Sequence, residues 1–120
     1  MIYTSCFGSQ APAERKICIA RKCPKSWGCR PRILELAPEN PWAKGDWRAR
    51  YREELALRFP RPEDLRSVLA RAESMAKNPI LCCYEVESDQ CHRRVLAEVV
   101  MERIGFELPE WTGVVQGSLL

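Results

Sequence analysis

The stretch ILCCYEVESDQCHRRVLAEVV, residues 80 to 100, decides how the chain folds. Its opening residues, ILCCY (80 to 84), are an unbroken apolar run that follows the helix-breaking pair Asn78 and Pro79. A short run without polar alternation predicts a strand covered on both faces, as at the centre of a parallel sheet. VESDQ (86 to 90) reads as a short polar turn, and Val95, Leu96, Val99, Val100 and Ile104 then recur at helical spacing. Ser88 or Asp89 is the expected cap of that helix, and Gly105 its end.

The sequence before this stretch supplies the layers on either side of the strand. Trp47, Tyr51, Leu55 and Phe59 recur every four residues, with Asp46 placed to cap a helix and Pro60 to stop it. That stripe reads as core rather than as a platform for stacking bases. Pro62 opens a second helix, with Glu63 and Asp64 suited to the positive end of its dipole and Leu65, Val68, Leu69, Ala72 and Ala76 on its buried face. IYTSCF (2 to 7) and KICIA (16 to 20) are β-prone and predict two more strands. RILEL (32 to 36) is a candidate third, Phe106 to Leu108 a candidate edge strand, and APENPWAKG (37 to 45) a connection. The prediction is therefore an α/β fold: a single domain over residues 1–111 with a small, mostly parallel sheet flanked by three main helices, and a C-terminal tail at 112–120.

Size and composition exclude other classes. A chain of 120 residues can build one proper core without a disulfide scaffold. No window approaches the roughly 18 apolar residues of a membrane span, so no membrane association is expected. The start MIYTSCFGSQ lacks a basic leader and apolar run, which predicts a cytoplasmic protein whose seven cysteines are free thiols by default. No C-x-x-C occurs, and the spacings match no common zinc ribbon or finger. Net charge is only +3, yet residues 13 to 32 hold Arg15, Lys16, Arg21, Lys22, Lys25, Arg30 and Arg32 against Glu14 alone. That segment suits an anionic partner, a small molecule or a nucleic acid; the oligomeric state is left open.

The candidate site lies where the predicted central strand hands over to the following helix, because ligands in open α/β sheets bind outside the carboxyl ends of the strands. Cys83, Tyr84 and Glu85 fall at the strand end, and Cys91, His92 and Arg93 in the first helical turn. A helix N-terminus offers unpaired N–H groups and about half a positive charge, which favours a thiolate or a bound anion. Cys91 is thus a candidate nucleophile, with Cys83 as the other thiol, Glu85 able to orient His92, and Arg93 able to clamp an anion. Against this, His92 sits beside the inward face of its helix and also reads as a core residue, and at least one of Cys82 and Cys83 reads as inert packing. A metal would need Cys83, Cys91 and His92 plus a remote fourth ligand such as Cys23 or Cys29, and the spacing does not demand it, so no metal ligand and no cofactor is assigned. Cys83 and Arg93 are ten residues apart, which departs from the phosphatase-like loop with its arginine six positions after the cysteine.

MIYTSCF, ICIARKCPKSWGCRPRILELAP, the DWRARY helix and above all ILCCYEVESDQCHRRVLAE resemble the family called Domain of Unknown Function 488, in the short form found in bacteria and their phages. The corresponding residues are Tyr3 and Ser5; Lys22, Pro24 and Trp27; Leu36, Ala37 and Pro38; Trp47 and Tyr51; then Cys83, Tyr84 and Glu85 with Cys91, His92 and Arg93. Alanine is the commoner residue at position 23 and an aliphatic one at 82, so the resemblance leaves Cys83 and Cys91 as the candidate thiols. It implies a fold and a site and names no substrate. Three functions follow as expectations. The first is an enzyme acting on a nucleotide, nucleic acid or other phosphate-bearing substrate, a thiol-dependent transferase or hydrolase. It would use Cys91 or Cys83 with His92 and Glu85, and Arg93, Tyr84, Lys22, Ser5 and Trp27 on the substrate. The second is a non-catalytic nucleic-acid-associated module, with Trp27 and Trp42 stacking on bases, and the third a metal-stabilised structural domain.

Overall fold

A computed structural model describes residues 1–39, 45–84 and 91–112. Three short parallel strands form the sheet among them: β1 (Tyr3–Cys6), β2 (Lys16–Cys18) and β3 (Ile80–Cys83), in the order β1-β3-β2. The apolar run is the central strand, buried at all four residues, with Ser5 opposite Cys82 on one side and Cys18 opposite Cys82 on the other. Helices α1 (Trp47–Arg58) and α2 (Pro62–Met75) form the crossover from β2 to β3, and α3 (His92–Ile104) follows β3.

The strand period of two sorts the two faces of the sheet. Ile17 and Leu81 point into the main core with Tyr51 and Leu55 of α1, Leu65 and Leu69 of α2, and Leu96 and Val100 of α3. Ile80 and Cys82 point the other way, against Ala11, Phe7 and Trp111, so loops rather than a helix cover that face. The three helices therefore share one layer, with α3 packed on both α1 and α2. No helix among the described residues is long and apolar enough to cross a membrane.

Local chemistry sets the helix ends. Asp46 accepts a hydrogen bond from Ala49 N–H (3.1 Å) at the start of α1, and Phe59, placed before Pro60, ends it. Pro62 opens α2, where the Asp64 carboxylate accepts from Arg61 N–H (3.0 Å). Ala76 falls one residue beyond α2, in extended backbone, instead of on its buried face. Gly105 ends α3 at φ +66°, a left-handed conformation that costs glycine nothing.

Three expected boundaries are corrected. Residues 32 to 36 make a single parallel bridge, Cys18 with Arg32, and then a 3-10 turn over Leu34–Leu36. The buried pair Ile33 and Leu36 is spaced by three, a turn's period, while Leu34 is exposed. The C-terminal edge pairing occurs at Glu110 rather than at 106 to 108: Thr4 N–H donates to Pro109 C=O (2.9 Å), and Trp111 N–H to Thr4 C=O (2.7 Å). Proline supplies an acceptor there and has no N–H to leave unpaired. Finally, α3 is capped by Cys91, not by Ser88 or Asp89, which lie outside the described residues.

A buried hydrogen bond ties the 32 to 39 segment to the helical layer. Tyr51, 1% exposed, donates its hydroxyl to Leu36 C=O at 2.5 Å, and burial pushes the phenol well above its ordinary pKa. Tyr51→Phe should cost about 1 to 2 kcal/mol, because it strands a buried carbonyl while conserving ring volume. Urea unfolding checks this, and an unchanged midpoint would show that Leu36 C=O finds water.

Candidate active site at the carboxyl end of the central strand

Cys83 ends β3, and the first three residues of the α3 entry are Cys91 at the cap followed by His92 and Arg93 in the first turn. The Sγ atoms of Cys83 and Cys91 are bonded to one another across a Cα separation of 7.1 Å. Cys18 and Cys23 form a second bonded pair at 6.1 Å, while Cys6, Cys29 and Cys82 are free. The expectation of free thiols is thus corrected for both pairs: in each, the last cysteine of a strand, Cys18 of β2 or Cys83 of β3, meets one on the chain that leaves that strand. Burial pushes the Cys82 thiol up to about 12, so it stays protonated and packs as an apolar residue.

The His92 imidazole leans across both sulfurs. Its Nε2 lies 2.7 Å from Ile19 C=O, and its Nδ1 lies 3.7 Å from Cys91 Sγ. A carbonyl can only accept, so the proton sits on Nε2 and the lone pair of Nδ1 faces the sulfurs. The ring is held edge-on by Tyr51, with centroids 5.4 Å apart. Burial holds the imidazole down to about 4, with the hydrogen bond to Ile19 opposing and the Arg93 charge assisting, so His92 is neutral at pH 7. The ligand-capable atoms of Cys83, Cys91 and His92 all lie within 4.8 Å of one another.

Arg93 is fully buried beneath them. One guanidinium N–H donates to Cys83 Sγ (3.1 Å), while Nε and Nη2 grip the two oxygens of Glu110 at 3.1 and 2.9 Å. Thr4 completes the arrangement by donating its hydroxyl to Glu110 Oε1 (2.9 Å). Arg93 is therefore engaged within the protein, on a sulfur and a carboxylate, rather than reaching toward solvent as an anion clamp.

The remaining sequence candidates disperse. Ser5 is buried in β1 beside Cys82, and Tyr84 is half exposed at the strand exit, its ring edge against Phe7 (4.8 Å). Trp27 is 3% exposed, donates its indole N–H to Pro31 C=O (2.9 Å), and packs against Phe7 with Arg30 over its ring. It has no open face for a base, which corrects its expected stacking role. Lys22 and Lys25 are exposed on the segment that begins at Ile19, whose carbonyl holds His92. Glu85 and Trp42 lie outside the described residues.

Sequence reasoning missed Glu110, Thr4 and the Ile19 carbonyl. The first two meet Arg93 only through the parallel bridge between Thr4 and Glu110, and a backbone acceptor leaves no mark in a sequence. The acidic groove between α3 and residues 107 to 110 was missed as well. It is lined by Glu98, Glu102, Glu107 and Glu110 with Arg94, and Arg52, Arg93 and Arg94 pair three of those four carboxylates.

No match to the chain was found among curated proteins or among solved structures. A family model described as the active DUF488-N3 subclade matches residues 29–104, which takes in β3, the Cys83–Cys91–His92 cluster and all three helices α1 to α3. The chain belongs to the Domain of Unknown Function 488 family.

Proposed function

We propose that the protein is an enzyme acting on a phosphate-bearing substrate, a nucleotide or nucleic acid, with its chemistry at Cys83, Cys91 and His92. The observation that carries this reading is the convergence of two sulfurs and an unprotonated imidazole nitrogen within 4.8 Å, at the carboxyl end of a central parallel strand. The matched subclade is described as active, which favours catalysis over a purely structural module.

In reduced protein each thiol has a distinct source of stabilisation for its anion. Cys83 has the Arg93 guanidinium at 3.1 Å, and Cys91 has the N-terminal end of α3, a 13-residue helix. His92 Nδ1 is the acceptor placed to take a proton from this pair. Glu110 and Thr4 act as positioning residues, since Glu110 holds Arg93 and Thr4 holds Glu110.

Phosphate recognition falls to the segment after β2 instead of to Arg93. Lys22, Lys25 and Arg30 are exposed there, and the segment leaves the sheet at the same carboxyl end as Cys83. Trp27 supports that segment from beneath, its ring taken up by Phe7 and Arg30.

Turnover of nucleotides and short nucleic acids by reduced protein tests the reading. Cys91→Ser should lower the rate more than tenfold while the circular dichroism spectrum is retained, and Lys22→Ala with Lys25→Ala should raise KM more than it lowers kcat. Turnover indifferent to Cys91→Ser, or no turnover of any phosphate-bearing substrate, would overturn it.

A further inference from the structure

Four features of the cluster fit a bound metal ion. The first is distance: a tetrahedral ion with Zn–S near 2.3 Å and Zn–N near 2.0–2.1 Å sets its sulfur and nitrogen ligands about 3.6 Å apart. His92 Nδ1 and Cys91 Sγ stand at 3.7 Å. The second is the backbone: Cα atoms 7.1 Å apart lie just beyond the usual disulfide span, whereas the 6.1 Å of Cys18 and Cys23 lies within it. The Cys83–Cys91 bond must be reduced before an ion enters, and the two thiolates then part from Cα positions wide enough to take one between them.

The third feature is the surrounding shell. Metal-bound histidines donate their other N–H to a carbonyl or carboxylate, which fixes the tautomer, and His92 Nε2–H does this to Ile19 C=O. The Arg93 N–H on Cys83 Sγ is the corresponding support for a thiolate ligand. The fourth is charge: two thiolates cancel a divalent ion, while the neighbouring Arg93 charge is met by the Glu110 carboxylate.

We propose that Cys83 Sγ, Cys91 Sγ and His92 Nδ1 bind one divalent transition-metal ion of the zinc class, with a fourth coordination position left for water or substrate. Two thiolates and one imidazole select zinc or cobalt over magnesium and calcium, which prefer oxygen ligands. Three protein ligands with an open position are the arrangement of catalytic rather than structural zinc, and the bound water then has a pKa near 7. What the fourth position is for rests on the enzyme reading above; the binding of the ion does not.

The experiment is titration of chelator-stripped, reduced full-length protein with Co2+ and Zn2+. We expect one equivalent of Co2+ to bind with a thiolate-to-cobalt charge-transfer band in the near ultraviolet, and Zn2+ to displace it. Cys83→Ser and Cys91→Ser should abolish the band, His92→Gln should weaken affinity at least tenfold, and Cys29→Ser, at an exposed free thiol, should leave it intact. A measurement on wild-type protein covers variants that fail to fold: bound Zn2+ should protect Cys83 and Cys91, but not Cys29, from iodoacetamide, as mapped by mass spectrometry. Less than about a tenth of an equivalent bound by folded, reduced protein, or equal alkylation of all three thiols with Zn2+ present, would overturn the proposal. Turnover that is lost on alkylation in protein binding no metal would leave the enzyme standing and remove the ion. One tightly bound equivalent with no turnover of any phosphate-bearing substrate would do the reverse.

Discussion

Glu110→Ala should lower the unfolding free energy by about 3 kcal/mol, far more than a typical surface carboxylate. Arg93 is 0% exposed, and Glu110 receives two of its N–H groups in a bidentate grip. Taking the carboxylate away removes the bidentate partner that Glu110 gives this buried guanidinium, and breaking a buried pair from one side costs roughly 3 to 5 kcal/mol. The Glu110 side chain is itself 39% exposed, so water can enter where it stood, which places the cost at the lower end. Thr4 loses its acceptor in the same step.

The reverse substitution distinguishes a buried-charge effect from simple loss of packing. Replacing both partners, Arg93→Met with Glu110→Leu, removes the charge along with its counter-charge and should destabilise less than Glu110→Ala alone. Urea unfolding of the two single variants and the double variant measures this. Additive losses, or a Glu110→Ala effect below about 1 kcal/mol, would show that Arg93 is compensated elsewhere.

That pair also marks the limit of what the sequence makes legible. The central strand was readable because ILCC is apolar at every position, a pattern only a strand covered on both faces tolerates. The meeting of Cys83, Cys91 and His92 followed, since strand end and helix start must adjoin, although the helix begins at the Cys91 cap and not at Ser88 or Asp89. The interior position of Arg93 was not readable, because an arginine in a first helical turn is ordinarily solvated, and what buries this one is a carboxylate 17 residues later. Leu34–Leu36 misled for the opposite reason. Three apolar or branched residues in five satisfy a strand pattern locally, while the tertiary contact of Ile33 and Leu36 with the core imposes a turn. Trp27 likewise reads as a stacking surface until its neighbours Phe7 and Pro31 are known.

The His92 imidazole should make the protein acid-sensitive in a window where most carboxylates do not titrate. Its ordinary pKa of 6.5 in the unfolded chain falls to about 4 in the folded protein, chiefly because burial disfavours the charged ring. Between those values the unfolded chain holds a proton that the folded chain refuses, so stability falls as pH drops from about 6.5 toward 4 and levels off below. The slope approaches 1.4 kcal/mol per pH unit, which integrates to about 3 kcal/mol at most. His92→Gln provides the reference, since its amide N–H can still serve Ile19 C=O and carries no titrating group. Glu35, Asp64 and Glu102, held below their usual pKa values by Arg71, Arg61 and Arg52 respectively, also shed stability on acidification, but equally in both proteins. Denaturant unfolding from pH 7 to 4, with reductant and excess chelator so that only a proton competes for the ring, should therefore give curves that diverge below pH 6.5. The wild type should fall faster. Parallel curves would mean that the ring accepts its proton in place, and that the Ile19 carbonyl and the adjoining sulfurs stabilise imidazolium well enough to offset its burial.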